Sequence, residues 1–152
     1  MIDYIIGTIT RKTPAFLTIE TGGVGYFVNI SLSTFSKLEG KEHNKILVHE
    51  VIREDARQLF GFADEEEREV FRLLISVSGV GAATARMMLS SLSSAEIQKA
   101  IIGSEVDVLK SVKGIGLKTA QRIIVDLKDK LGKPSGSGEI FTFSDNTRRE
   151  EA

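Results

Sequence analysis

Two short glycine turns carry the residue pattern with the clearest chemistry. Gly79-Val80-Gly81 and Gly114-Ile115-Gly116 each set an apolar residue between two glycines, and each is followed by a threonine three residues past the second glycine, Thr84 and Thr119. Glycine tolerates positive φ and lets another molecule approach the backbone closely. The central Val80 or Ile115 is expected to be buried and to pin its turn to a core. Ala82-Ala83 in one copy and Leu117-Lys118 in the other then open a helix whose first N–H groups face outward. A helix start with a glycine-rich approach is an anion site, and successive turn amides form a similar concavity. Arg86 follows the first turn; Lys113, Lys118 and Arg122 surround the second. The chemistry expected is phosphate binding, and two sites one repeat apart suit a polyanion. The competing reading is that Gly-x-Gly makes two tight helix–helix turns and that Lys118 and Arg122 lie on an ordinary solvated face. The duplication favours phosphate.

The turns belong to a longer repeat. Leu73–Leu92 can be laid over Val108–Leu127 without a gap, with Ser76/Ser111, Val77/Val112, Gly79/Gly114, Gly81/Gly116, Thr84/Thr119 and Ala85/Ala120 coinciding. Such self-similarity marks a duplicated supersecondary unit, here helix, tight turn, helix. Around Ala63 the apolar period changes from two to about three and a half. Asp64 with Glu67 is a capping pattern, and acids in a first turn suit the helix dipole. Val70, Phe71, Leu74 and Ile75 form the apolar stripe of the helix entering the first turn, and Ala82–Ser91 leaves it. Ser93 with Glu96 is a second capping box, and Gly103 ends the helix it opens. A short helix from Ser104 to Lys110 enters the second turn. Leu117–Leu131 follows, with Leu117, Ala120, Ile124, Leu127 and Leu131 on one face.

Residues 1–62 read as strands. Ile2–Ile6, Phe16–Glu20, Val24–Ile30, Ile46–Ile52 and Leu59–Phe62 are β-rich, and Gly22-Gly23 is a hairpin signal. Five short strands in about 60 residues suggest a small closed barrel such as an OB-fold. Glu54-Asp55-Ala56 is a polar turn between the last two. Tyr4, Tyr26, Phe27 and Phe60 suit base stacking on single strands, but aromatics at strand spacing more often fill a barrel, and core packing is the expectation.

The 152 residues allow one domain or two small ones, and net charge is −1. Acids dominate from Arg53 to Glu69; the balance is basic from Val70 to Lys133. There is no cysteine, hence no disulfide or thiolate metal site. His43 and His49 lack ligand spacing. No apolar run approaches the roughly 20 residues that span a bilayer, so a soluble, cytoplasmic protein without membrane contact is expected.

Helix, Gly-x-Gly hairpin, helix, repeated, is the pattern of tandem helix-hairpin-helix domains. The stretches Met1-Ile-Asp-Tyr-Ile-Ile-Gly-Thr-Ile9, Gly22-Gly-Val-Gly-Tyr-Phe-Val28, Arg53-Glu-Asp-Ala56, Leu59-Phe-Gly-Phe62, Gly79-Val-Gly81 and Lys113-Gly-Ile-Gly-Leu-Lys-Thr-Ala120 resemble the RuvA family, which recognises Holliday junctions. The resemblance runs from residue 1 to about 133. It implies an α+β chain: an OB-fold barrel at 1–62 forming a tetramer core, a tandem helix-hairpin-helix DNA-binding domain at 63–133, and at 134–152 a flexible linker with the start of a third domain that is otherwise missing. It implies sequence-independent binding of four-way junction DNA, with backbone contacts at Gly79, Val80, Gly81, Ala82, Ala83, Arg86, Lys113, Gly114, Ile115, Gly116, Leu117, Lys118, Thr119 and Arg122. Glu54 and Asp55 map onto the family's acidic pin. The implied partners are a homotetramer, four subunits or two fours paired into eight, the RuvB motor and the RuvC resolvase. No cofactor is implied, because ATP is used by the motor, and no catalytic or metal site. Two departures reduce the cations on the DNA face: Ala82-Ala83 where a Lys is common, with Arg86 placed one turn along to compensate, and Leu117 where a basic residue is common. Without the third domain, coupling to the motor is expected to be poor.

Two other classes were weighed against this one. Some repair glycosylases hold DNA with one such hairpin, but they need a catalytic Asp or Lys at a base pocket; Asp126 and Asp129 read as exposed, and no Gly-Lys-Ser/Thr phosphate loop is present. A generic duplex-binding module would use the hairpins without the barrel.

Overall fold

A computed structural model describes residues 1–132. The expectations for 134–152 lie outside the described residues. The period-two stretches form β1 (Tyr4–Lys12), β2 (Phe16–Thr21), β3 (Val24–Ile30), β4 (His43–Ile52) and β5 (Arg57–Phe62), with α1 (Leu32–Lys37) between β3 and β4. The helical half contains α2 (Glu65–Ile75), α3 (Ala82–Ser91), α4 (Ser94–Ile102), α5 (Val106–Lys110) and α6 (Leu117–Gly132).

The strands close into a barrel in the order β1-β2-β3-β5-β4. All pairs are antiparallel except β3 with β5. Gly22 and Gly23 both have positive φ, 58° and 81°, as a two-residue hairpin turn with the right twist requires. Ile5, Leu17, Ile19, Val28, Ile30, Leu38, Ile46 and Val48 fill the interior. The chain is therefore an α+β protein, a five-stranded barrel followed by helices. The aromatics do not fill the barrel as expected. Tyr4 and Phe27 are exposed, and Tyr26 is half-buried. Phe60 is buried, but on the barrel's outer wall, where it and Phe62 meet Phe71 with ring centroids 5.3 and 5.0 Å apart. Alternation places Phe60 and Phe62 on the face that the helices cover, so they belong to the helical core.

Polar contacts reinforce this wall. Asp64 caps α2 by accepting from the Glu67 amide at 2.9 Å. Glu67 does not complete a capping box. Its carboxylate turns inward, is almost fully buried, and accepts from the hydroxyls of Ser31 and Thr34. Arg68, also buried, donates to the Asp3 carboxylate at 2.9 Å and to the carbonyls of Asp3 and Val48. His49 accepts from Arg72 at 3.1 Å, while His43 is exposed. The Ser93–Glu96 capping box is complete on α4.

Candidate nucleic-acid interface

The sequence repeat is a structural repeat down to single hydrogen bonds. In the first hairpin Ser76 Oγ donates to the Leu73 carbonyl at 2.6 Å, and in the second Ser111 Oγ donates to that of Val108 at 2.5 Å. The Val80 amide donates to Val77 at 3.0 Å, the Ile115 amide to Val112 at 3.1 Å. The Ala85 and Ala120 amides close the first helical turn onto Gly81 and Gly116, both at 2.9 Å. Gly79 and Gly114 share a φ of 93°, a region that L side chains rarely enter. Val80 and Ile115 are both buried in the helical core, which fixes the turns as their apolar character implied.

The second glycines pose a different question. Gly81 has φ −89°, and neither it nor Gly116 has positive φ. A Cβ on either would meet nothing within 4 Å. The fold has no steric need for glycine there, so the need comes from whatever approaches from outside. Gly81 is also the N-cap of α3 and offers no side chain to its amides, whereas α1, α2 and α4 start on Ser31, Asp64 and Ser93, each of which accepts an amide. The opening N–H groups of α3 therefore point to an outside acceptor, and the partial positive charge of a helix start selects an anion.

The side chains around the turns divide into three groups. Ala83, Lys113, Leu117, Lys118 and Arg122 are exposed, and Thr84 and Thr119 are half-buried. Ala82 is buried, so it offers only its amide. Leu117 leaves the apolar face assigned to it: it opens α6 a turn before the buried stripe of Ala120, Ile123, Ile124, Leu127 and Leu131 begins, and is 49% exposed. Arg122 Nε lies 3.2 Å from Asp126 Oδ2, which leaves Lys113 and Lys118 as the cations outside any ion pair around this turn, among the described residues. Arg86 does not stand clear to compensate for Ala82 and Ala83. Its Nη1 donates to the Ile30 carbonyl of β3 at 3.0 Å, and Nη2 lies 4.0 Å from Met87 Sδ.

Glu54 and Asp55 form the tip of the β4–β5 hairpin. The strands pair to Ile52↔Arg57, and the Arg53 amide donates to Ala56 at 2.8 Å. Both acids are exposed, and neither joins an ion pair among the described residues. Among those residues, no three His, Cys, Asp or Glu are grouped to hold a metal, and no helix is long and apolar enough to cross a membrane.

Comparison with known proteins bears on the whole of this arrangement. The RuvA N terminal domain family matches residues 1–61, and the SAM-like Helix-hairpin-helix tandem family matches residues 71–129. A Holliday junction branch migration complex subunit RuvA of Christiangramia forsetii is 51% identical over 152 residues, covering 100% of this chain and 79% of that protein. The chain belongs to the RuvA family. RuvA subunits of Bacteroides fragilis (58% identical over 131 residues, 86% of this chain and 65% of that protein) and Porphyromonas gingivalis (51% over 142 residues, 93% and 70%) are similar to it as well. Within the RuvA frame, signals for the turns, the central apolar residues and the acidic tip were all present in the sequence. The polar joint of Ser31, Thr34 and Glu67 was not anticipated. Its available signal was Ser31 ahead of Leu32, Phe35 and Leu38 at helical spacing, which marks α1 and its cap.

Proposed function

We propose that this chain binds four-way Holliday junction DNA without reading its sequence, as a homotetramer that holds the junction open for branch migration by the RuvB motor in recombination and repair. The observation that carries this reading is the pair of matched hairpins, each presenting a helix start behind a glycine that the fold does not need. Amides of Gly81–Ala83 and Gly116–Lys118 hold phosphates on a duplex arm, and Lys113, Lys118 and Arg122 add charge. Contacts to phosphate fix position but carry no base information, as a crossover sliding through any sequence demands. Four arms match four subunits under closed symmetry. Four copies of Glu54 and Asp55 then gather at the crossover, where acids repel phosphates most strongly as water is displaced. This keeps the centre open and steers strands apart.

In this reading the chain works in the cytoplasm, catalyses nothing and needs no cofactor; ATP belongs to the motor. RuvC and a second tetramer are further partners of the same surface. Sedimentation velocity of the chain mixed with an immobile four-way junction tests the stoichiometry. Four or eight chains per junction is the expected result. A series of complexes growing by one chain at a time, with no preferred size, would reduce the protein to a generic duplex binder.

A further inference from the structure

We propose that Arg86 and Ser90 position the first hairpin on the barrel by gripping the β3–α1 connection, and that Arg86 is not a DNA contact. Arg86 and Ser90 lie one turn apart on α3. The first donates to the Ile30 carbonyl at 3.0 Å, and the second accepts from the Leu32 amide at 3.0 Å. Between and beyond these two points, Ser31 and Thr34 donate their hydroxyls to Glu67 of α2. Thr34 Oγ1 also accepts from the Ala63 amide at 3.2 Å, at the end of β5. Over Ile30–Thr34, α3 and α2 thus take successive residues of one segment in turn. The guanidinium is well suited to this task, since its donors have fixed directions and its charge is permanent.

Charge distribution gives the grip a consequence. Arg86 is the one Lys or Arg between Ser76 and Ser91, whereas Lys113, Lys118 and Arg122 surround the second turn. With Arg86 committed to Ile30, the first hairpin offers amides but no free cation. The second hairpin supplies attraction. The first supplies register: its helix start is held to the same barrel that carries the Glu54-Asp55 tip. This division of labour rests on the junction reading, because register between tip and hairpin matters only where several arms meet.

The test compares Arg86→Met and Ser90→Ala with the wild-type chain on a four-way junction and on linear duplex, across a salt series, with amide exchange measured over Ile30–Thr34. Ser90→Ala is small and uncharged, so it should fold and has no electrostatic effect of its own. Both variants should lose about 2- to 10-fold in junction affinity, the span of one or two hydrogen bonds. Duplex affinity and the salt slope should stay at the wild-type values, and exchange at Leu32 should quicken. A salt slope for Arg86→Met lower by about 0.9 per phosphate, with duplex and junction weakened alike, would make Arg86 a DNA contact and overturn the proposal. So would wild-type junction binding by both variants. A wild-type chain that does not prefer the junction would count against the junction reading instead. The grip is then decided by exchange alone: faster exchange in both variants supports it, and unchanged exchange removes it.

Discussion

A methyl group at Gly81 or Gly116 has open space and no positive φ to contend with, so the fold should accept it. Loss of glycine at an N-cap costs at most about 1 kcal/mol. The same change at Gly79 or Gly114, at φ 93°, forces an L side chain into a strained region at about 1–3 kcal/mol. DNA affinity should follow a different order. Gly81→Ala and Gly116→Ala should melt near the wild-type temperature yet bind DNA weakly, because the methyl occupies the approach of a phosphate. Gly79→Ala and Gly114→Ala should lose stability and binding together. Thermal melts paired with duplex titrations separate the two pairs; full DNA affinity in Gly81→Ala and Gly116→Ala would remove the amide site. At this scale the turns were readable from sequence, since Gly-Val-Gly and Gly-Ile-Gly dictate both conformation and burial. Arg86 was not. A charge one turn past a helix start reads as solvent-facing until the barrel carbonyl that it meets is known.

Among the elements, α2 has the least sequence-legible role. Its first-turn acids look like dipole partners, yet Glu67 is buried between α1 and α2. Burial pushes its carboxyl above the usual carboxylate value, the Ser31 and Thr34 hydroxyls work against that, Asp64 adds to it and Lys37 opposes it. A raised carboxyl holds its proton longer in the folded chain than in the unfolded one. The stability this contributes is complete below the ordinary carboxylate value and is lost as pH rises through the raised one. Urea midpoints should therefore fall over that window in the wild type and stay flatter in Glu67→Gln; parallel profiles would contradict the assignment. In α6, Lys118→Gln should lower the salt slope of DNA binding by up to about 0.9 per phosphate released, which a titration at several salt concentrations reads directly. The helices themselves were legible because α3 and α6 follow glycine turns and α4 starts on a capping box. The short α1, with no periodic run long enough to stand out, was not.

At the scale of the whole molecule, barrel and helices share one core through Phe60, Phe62 and Phe71, so tip and hairpins are parts of one body. The barrel could be read from strand spacing, but this shared wall could not: alternation shows that Phe60 and Phe62 face one side, not which side is covered. Glu54→Gln with Asp55→Asn should leave duplex affinity unchanged while reducing base unpairing at the crossover, followed with a fluorescent base analogue there. An unchanged fluorescence signal would make the tip an ordinary solvated turn. The most direct measurement is a band-shift titration of an immobile four-way junction against linear duplex of the same sequence at two salt concentrations, since backbone binding weakens steeply with salt. Preference for the junction that survives the higher salt is the predicted result. Equal affinity for junction and duplex at both salt concentrations would contradict the account.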